Sequence, residues 1–195
     1  MNVPVDFVVT FDYLCPFARN ASEAVLNGLA EGRPWNVRFH PFSLSQVHVE
    51  DDEPDVWQLD PPASGVLALQ WGLAARDLHP DVFPALHREL FAARHDHGEN
   101  IKDESVLRRA AERAGADPDE ITATVAGGKP LSILEEEHQE AVARWSAFGV
   151  PTFILDDTAT FIRFMSRGDV DDLDRALDLL SWHALNEFKR TEVPR

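Results

Sequence analysis

Cysteine is nearly missing from this chain: Cys15 is the single one among 195 residues. An internal disulfide is thereby excluded, and a lone thiol fits a reducing compartment or a protein that uses the thiol itself. Bases are also scarce. Against 34 Asp and Glu stand 18 Lys and Arg, for a net charge of −16, and only Lys102, Lys129 and Lys189 are lysines. So acidic a surface repels phosphates, which argues against nucleic-acid partners. No stretch approaches the roughly 18 unbroken apolar residues of a membrane span. The opening Met1–Phe7 has no basic region, apolar run or small-residue cleavage site of a signal peptide. The expectation is a cytoplasmic protein without a membrane partner. Repeats and low-complexity segments are missing too.

What is present is ordinary globular material: 44% hydrophobic and 27% charged residues. A chain of this size hides roughly 70% of its unfolded surface, enough for a core without staples. Asp6–Asp12 is short, β-branched and aromatic, the pattern of a buried strand. Pro16–Glu31 predicts a helix, with proline welcome in the first turn and Gly32 as its stop. Trp35–Phe42 alternates as a second strand, so the three segments predict a parallel βαβ unit. Val49–Pro62 crowds acids with prolines and predicts an exposed connection. Ser64–Gly128 carries helical periodicity throughout, and Leu131–Phe148 predicts one more helix, ended by Gly149. Pro151–Leu155 and Thr160–Phe164 flank Asp156-Asp157 as a hairpin. Val170–Phe188 predicts a closing amphipathic helix with Leu173, Ala176, Leu177, Leu180, Ala184, Leu185 and Phe188 on its buried face. This order predicts an α/β class: one mixed sheet assembled from both ends of the chain, with an all-helical subdomain inserted.

Cys15 is the first candidate for chemistry. A lone cysteine is usually a small buried hydrophobe. This one falls where the first strand ends and the first helix starts. Unpaired N–H groups and the helix dipole meet there, and both favour a thiolate, so a lowered pKa is expected. Val150-Pro151-Thr152 opens the hairpin. By itself it reads as an ordinary proline at the start of a strand. His95-Asp96-His97 with Glu99 has no ordinary metal-site spacing, and no metal is expected. The five tryptophans are expected in the core or between packed elements, with Trp57 and Trp71 as candidates for lining an apolar groove.

Together, Cys15-Pro16 after the first strand, a helical insertion, and Val-Pro-Thr before a hairpin and final helix resemble the thioredoxin-like plan of the DsbA family. The resemblance divides the chain into a thioredoxin-like domain, 1–48 and 130–195, and a helical insertion, 49–129. It implies a cis Val150–Pro151 bond beside the active cysteine, with that backbone holding a substrate strand. It places Pro16, Phe17, Val150, Pro151, Thr152 and His138 in the substrate site, His138 stabilising the thiolate or carrying a proton. Asp12-Tyr13-Leu14-Cys15-Pro16-Phe17, Arg38–Leu44, His138 and Glu187–Thr191 further resemble an actinobacterial branch that includes mycothiol-dependent reductases.

One departure governs the chemistry. Dithiol members read Cys-x-x-Cys, but this chain reads Cys15-Pro16-Phe17-Ala18. Ala18 cannot resolve a mixed disulfide, so a monothiol reaction with an external thiol is expected. The resemblance implies no tightly bound cofactor. Mycothiol or glutathione would be the co-substrate, and small or protein disulfides the partners. Two other readings stay open: a kappa-class glutathione transferase or isomerase, and a binding protein without turnover. In the first of these the family's active serine corresponds to Cys15, not to Ser43.

Overall fold

The computed structural model describes residues 4–184. Strand β1 (Val5–Phe11) leads through helix α1 (Pro16–Ala30) to strand β2 (Trp35–Pro41). The two strands pair in parallel, from Val5 opposite Trp35 to Phe11 opposite Pro41. Helices α2 (Leu44–Val47), α3 (Val66–Leu78), α4 (Phe83–His95), α5 (Glu104–Ala114), α6 (Pro118–Ala126) and α7 (Lys129–Trp145) follow. The chain then returns to the sheet with β3 (Thr152–Leu155) and β4 (Thr158–Phe161), and ends its described part with α8 (Val170–Leu180).

The sheet order is β2-β1-β3-β4. Strand β3 runs antiparallel to β1, with Val9 opposite Phe153, and β4 antiparallel to β3. The mixed sheet built from both ends is therefore as predicted. Alternation assigns its faces. Phe7, Val9, Phe11, Phe39 and Phe153 are buried on one face, where Phe11 and Phe39 pack on the His87 ring of α4 with centroids 4.6 and 5.0 Å away. On the other face His40 reaches the carbonyl of Glu137 in α7 at 2.6 Å. The hairpin turns on Asp156 and Asp157, whose φ angles of +47° and +62° suit a two-residue turn between twisted strands.

Local signals explain the helices. Asp103 caps α5 by accepting the Ser105 N–H at 2.9 Å, and Gly115 closes it in the left-handed region. Val106, Leu107, Ala110 and Ala111 form its buried stripe. Two predicted helix ends move. Helix α7 ends at Trp145, because Ser146 turns left-handed at φ +53°, which leaves Phe148 outside the helix and 68% exposed. Helix α8 stops at Leu180; Ala184 is exposed, while Leu185, Phe188 and the Glu187–Thr191 motif lie outside the described residues. Trp182, expected to pack, is 59% exposed beyond that end.

The acidic connection also holds more structure than its composition predicts. Val56–Gln58 forms a single helical turn with Val56 buried. The Gln46 side chain clamps it, donating to Asp55 at 2.5 Å and accepting the Val56 N–H at 2.9 Å. Trp71 is sealed in the helical core rather than in a groove, and Trp57 lies half-buried beside His138.

Candidate active site

Cys15 is the N-cap of α1, in extended backbone just past the end of β1. Pro16, exposed at the first helical position, starts the helix without a wasted donor. The Cys15 sulfur accepts the Ala18 N–H at 3.4 Å. From the other side it donates to the Val150 carbonyl, also at 3.4 Å. The Val150–Pro151 peptide is cis. Val150 and Thr152 are buried. The Thr152 N–H donates to Thr10 Oγ1 and its hydroxyl donates to the Gly149 carbonyl, both at 2.8 Å. The sheet thus carries the Cys15 and Val150 segments, far apart in sequence, to one point.

The thiol does not have the lowered pKa expected of a helix start. Burial pushes it up, the Ala18 and Phe17 N–H groups pull it down, Asp12 raises it and Arg163 lowers it. Burial wins: Cys15 is 8% exposed. Sequence position reveals the helix terminus but not how much hydrocarbon surrounds the sulfur.

Asp12, three residues before Cys15, is the member that sequence reasoning left without a role. It is fully buried. One carboxylate oxygen accepts the Leu14 N–H at 2.9 Å and the other the Leu44 N–H at 2.7 Å. Its own carbonyl accepts the Cys15 N–H at 3.0 Å. Burial lifts its pKa to about 6 despite those two bonds. The available signal is a charged residue ending an otherwise apolar strand, which is costly unless its oxygens are satisfied.

His138 is engaged elsewhere than at the sulfur. Its Nδ1 accepts the Ser43 N–H at 3.2 Å, and its ring packs on Phe42 and Trp57 with centroids 4.4 and 5.5 Å away. Burial, with the nearby His40, holds its pKa down to about 4. His138 and Asp12 therefore grip the consecutive amides of Ser43 and Leu44. Ser43 itself caps α2 by accepting the Gln46 N–H at 3.3 Å.

Phe17 lies half-buried beneath the Arg163 guanidinium, which sits 5.5 Å from its ring and 5.6 Å from that of Phe161. The His95–Glu99 segment has other partners: His95 meets the Tyr13 carbonyl, Asp96 meets Arg19 and Arg167, and Glu99 meets Arg109. Among the described residues no three ligating groups converge on a metal position. A cleft of about 370 Å³ lies at the opposite end of the strands, lined by Asp6, Asn36, Arg38, Trp145 and Asp157 among others, away from Cys15. No helix among the described residues is long and apolar enough to cross a membrane.

Comparison with known proteins agrees with this architecture. The profile of the DSBA-like thioredoxin domain matches residues 6–178. No curated protein matches the chain. Among solved structures, the cytosolic disulfide reductase DsbM from Pseudomonas aeruginosa with GSH is 21% identical, with TM-score 0.63 over 91% of this chain and 99% of that one. A 2-hydroxychromene-2-carboxylate isomerase is 18% identical, with TM-score 0.64 over 90% and 96%. A thioredoxin-like oxidoreductase from Silicibacter pomeroyi is 20% identical, with TM-score 0.61 over 90% and 88%. Likeness at these identities speaks to the fold.

Proposed function

The chain belongs to the DSBA-like thioredoxin domain family and is an enzyme of that class, and from that premise we propose that it is a monothiol thiol-disulfide oxidoreductase. The Cys15 thiolate attacks one sulfur of a disulfide. A mixed disulfide forms on Cys15, and the departing thiolate takes up a proton. An external low-molecular-weight thiol, glutathione or mycothiol, then attacks the mixed disulfide, restores Cys15 and leaves as the new disulfide. Ala18 occupies the position of a resolving cysteine, so the second thiol comes from outside. A reducing cytoplasm would supply it.

One observation carries the reading: the only sulfhydryl of the chain lies between the Ala18 N–H at the start of α1 and the Val150 carbonyl. Pro16, Phe17, Val150, Pro151 and Thr152 are the proposed substrate-facing residues. His138 enters as a residue that holds the Ser43 turn, not as a proton carrier at the sulfur. Because burial raises the thiol, exchange should accelerate with pH beyond the range of an ordinary cysteine.

Intact mass after incubation with low-molecular-weight disulfides tests this. Wild type should gain one adduct, Cys15→Ser none, and added thiol should remove the adduct. No adduct on wild type, or one that thiol cannot remove, sinks the reading. Turnover of a small electrophile that survives in Cys15→Ser would instead favour the transferase or isomerase alternative.

A further inference from the structure

Arg163 differs from the ion-paired arginines near it. In a chain of net charge −16, arginines find carboxylates easily. Arg167, four residues on, holds both Glu23 and Asp96. Arg144 holds Glu140 and Asp157. Arg163 is exposed, and no carboxylate pairs with it among the described residues. Its guanidinium is held instead by aromatic rings, Phe17 from the start of α1 and Phe161 from the end of β4. Such stacking fixes a cation without neutralising it. Phe148 extends the aromatic surface, 5.1 Å from Phe161 and mostly exposed. Phe17 lies two residues from Cys15, and the arginine's charge is felt at the sulfur.

A fixed, unneutralised guanidinium is a carboxylate receptor. We infer that Arg163 docks a carboxylate of the disulfide that Cys15 attacks, with Phe17, Phe161 and Phe148 covering its apolar part. The substrate class is an anionic low-molecular-weight disulfide. This rests on the disulfide-exchange reading above and narrows it. Glutathione carries such carboxylates; mycothiol, a sugar-conjugated thiol, carries none. The acidic surface sharpens the choice, since its net charge repels anions and this cation stands beside Cys15 to offset that.

Three small aliphatic disulfides of similar size separate charge from chemistry: dithiodipropionate as anion, hydroxyethyl disulfide as neutral probe, cystamine as cation. Adduct formation on Cys15 should be fastest with the anion and slowest with the cation, and added salt should shrink the difference. In Arg163→Gln the anion should lose about threefold to tenfold in rate relative to the neutral probe, as befits one nearby charge. Arg163→Lys should restore part of that preference. Urea midpoints should stay close to wild type, because an exposed cation–ring contact adds little to folding. Wild-type indifference to probe charge, or a preference intact in Arg163→Gln, overturns the inference while leaving disulfide exchange standing. Failure of all three probes to label Cys15 overturns both.

Discussion

The Cys15 sulfur has a helix start that favours its charge and a packed surrounding that opposes it, and Asp12 helps the opposition. A carboxylate so close repels a thiolate, while its two amide bonds fix the loop on which Cys15 stands. The folded Asp12 pKa of about 6 lies above the ordinary 3.8. The native state therefore holds this proton more tightly than the unfolded chain. Stability from this group is greatest below the unfolded value and falls as pH rises through the folded one. At neutral pH the buried charge costs about 3 kcal/mol. Asp12→Asn should remove that pH slope between about 4 and 6 in urea titrations and should lower the Cys15 pKa read from thiolate absorbance. Its stability at neutral pH should change little, because relief of the buried charge is offset by one amide N–H losing its acceptor, at about 1–3 kcal/mol. An unchanged slope, or an unchanged thiol pKa, contradicts this role. None of this was legible beforehand: the helix start shows in the residue pattern, but the balance between dipole and burial depends on contacts from distant segments.

At the scale of elements, the βαβ unit and the hairpin were legible because each is written in local patterns. Phe7, Val9 and Phe11 alternate, Gly32 stops α1, and Asp156-Asp157 fills a turn. The ends of α7 and α8 and the Val56 turn were not: Ser146 and Ser181 are not strong stop signals, and Gln46 reaches the turn from another element. The contact of α1 with β2 shows what pattern omits. Gly28 sits in the last turn of α1, before its cap at Glu31, where glycine costs up to about 1 kcal/mol against alanine. The cost is accepted because the Trp35 ring lies against its Cα, and a Cβ would overlap three ring atoms. Gly28→Ala should therefore destabilise by about 1–3 kcal/mol, overpacking outweighing the gain in helix propensity. A urea midpoint equal to or above wild type would show that Trp35 yields at no cost.

For the whole molecule, acid is the revealing perturbation. Burial leads in lowering His87 to about 3 and His138 to about 4, and in lowering His40 and His95 as well. These folded values lie below the unfolded 6.5. The stability they represent is present above that pH and is lost as pH falls toward the folded values. Asp12 acts in the opposite sense over part of the same window, but four histidines outweigh one carboxyl. The urea midpoint of wild type should thus fall between about pH 7 and about pH 4. His138 connects this loss to the site. Protonated, its Nδ1 can no longer accept the Ser43 N–H, and the turn shared with Asp12 loses one of its two holds. His138→Gln keeps an acceptor for that amide and carries no titration. Its acid loss should be smaller than wild type's by up to about 3 kcal/mol, and its rate of Cys15 labelling should fall at low pH only with the thiolate fraction, where wild type declines further. If both proteins lose stability in parallel, the acid response belongs to the other histidines, and the Ser43 turn is not the point at which protonation reaches the sulfur.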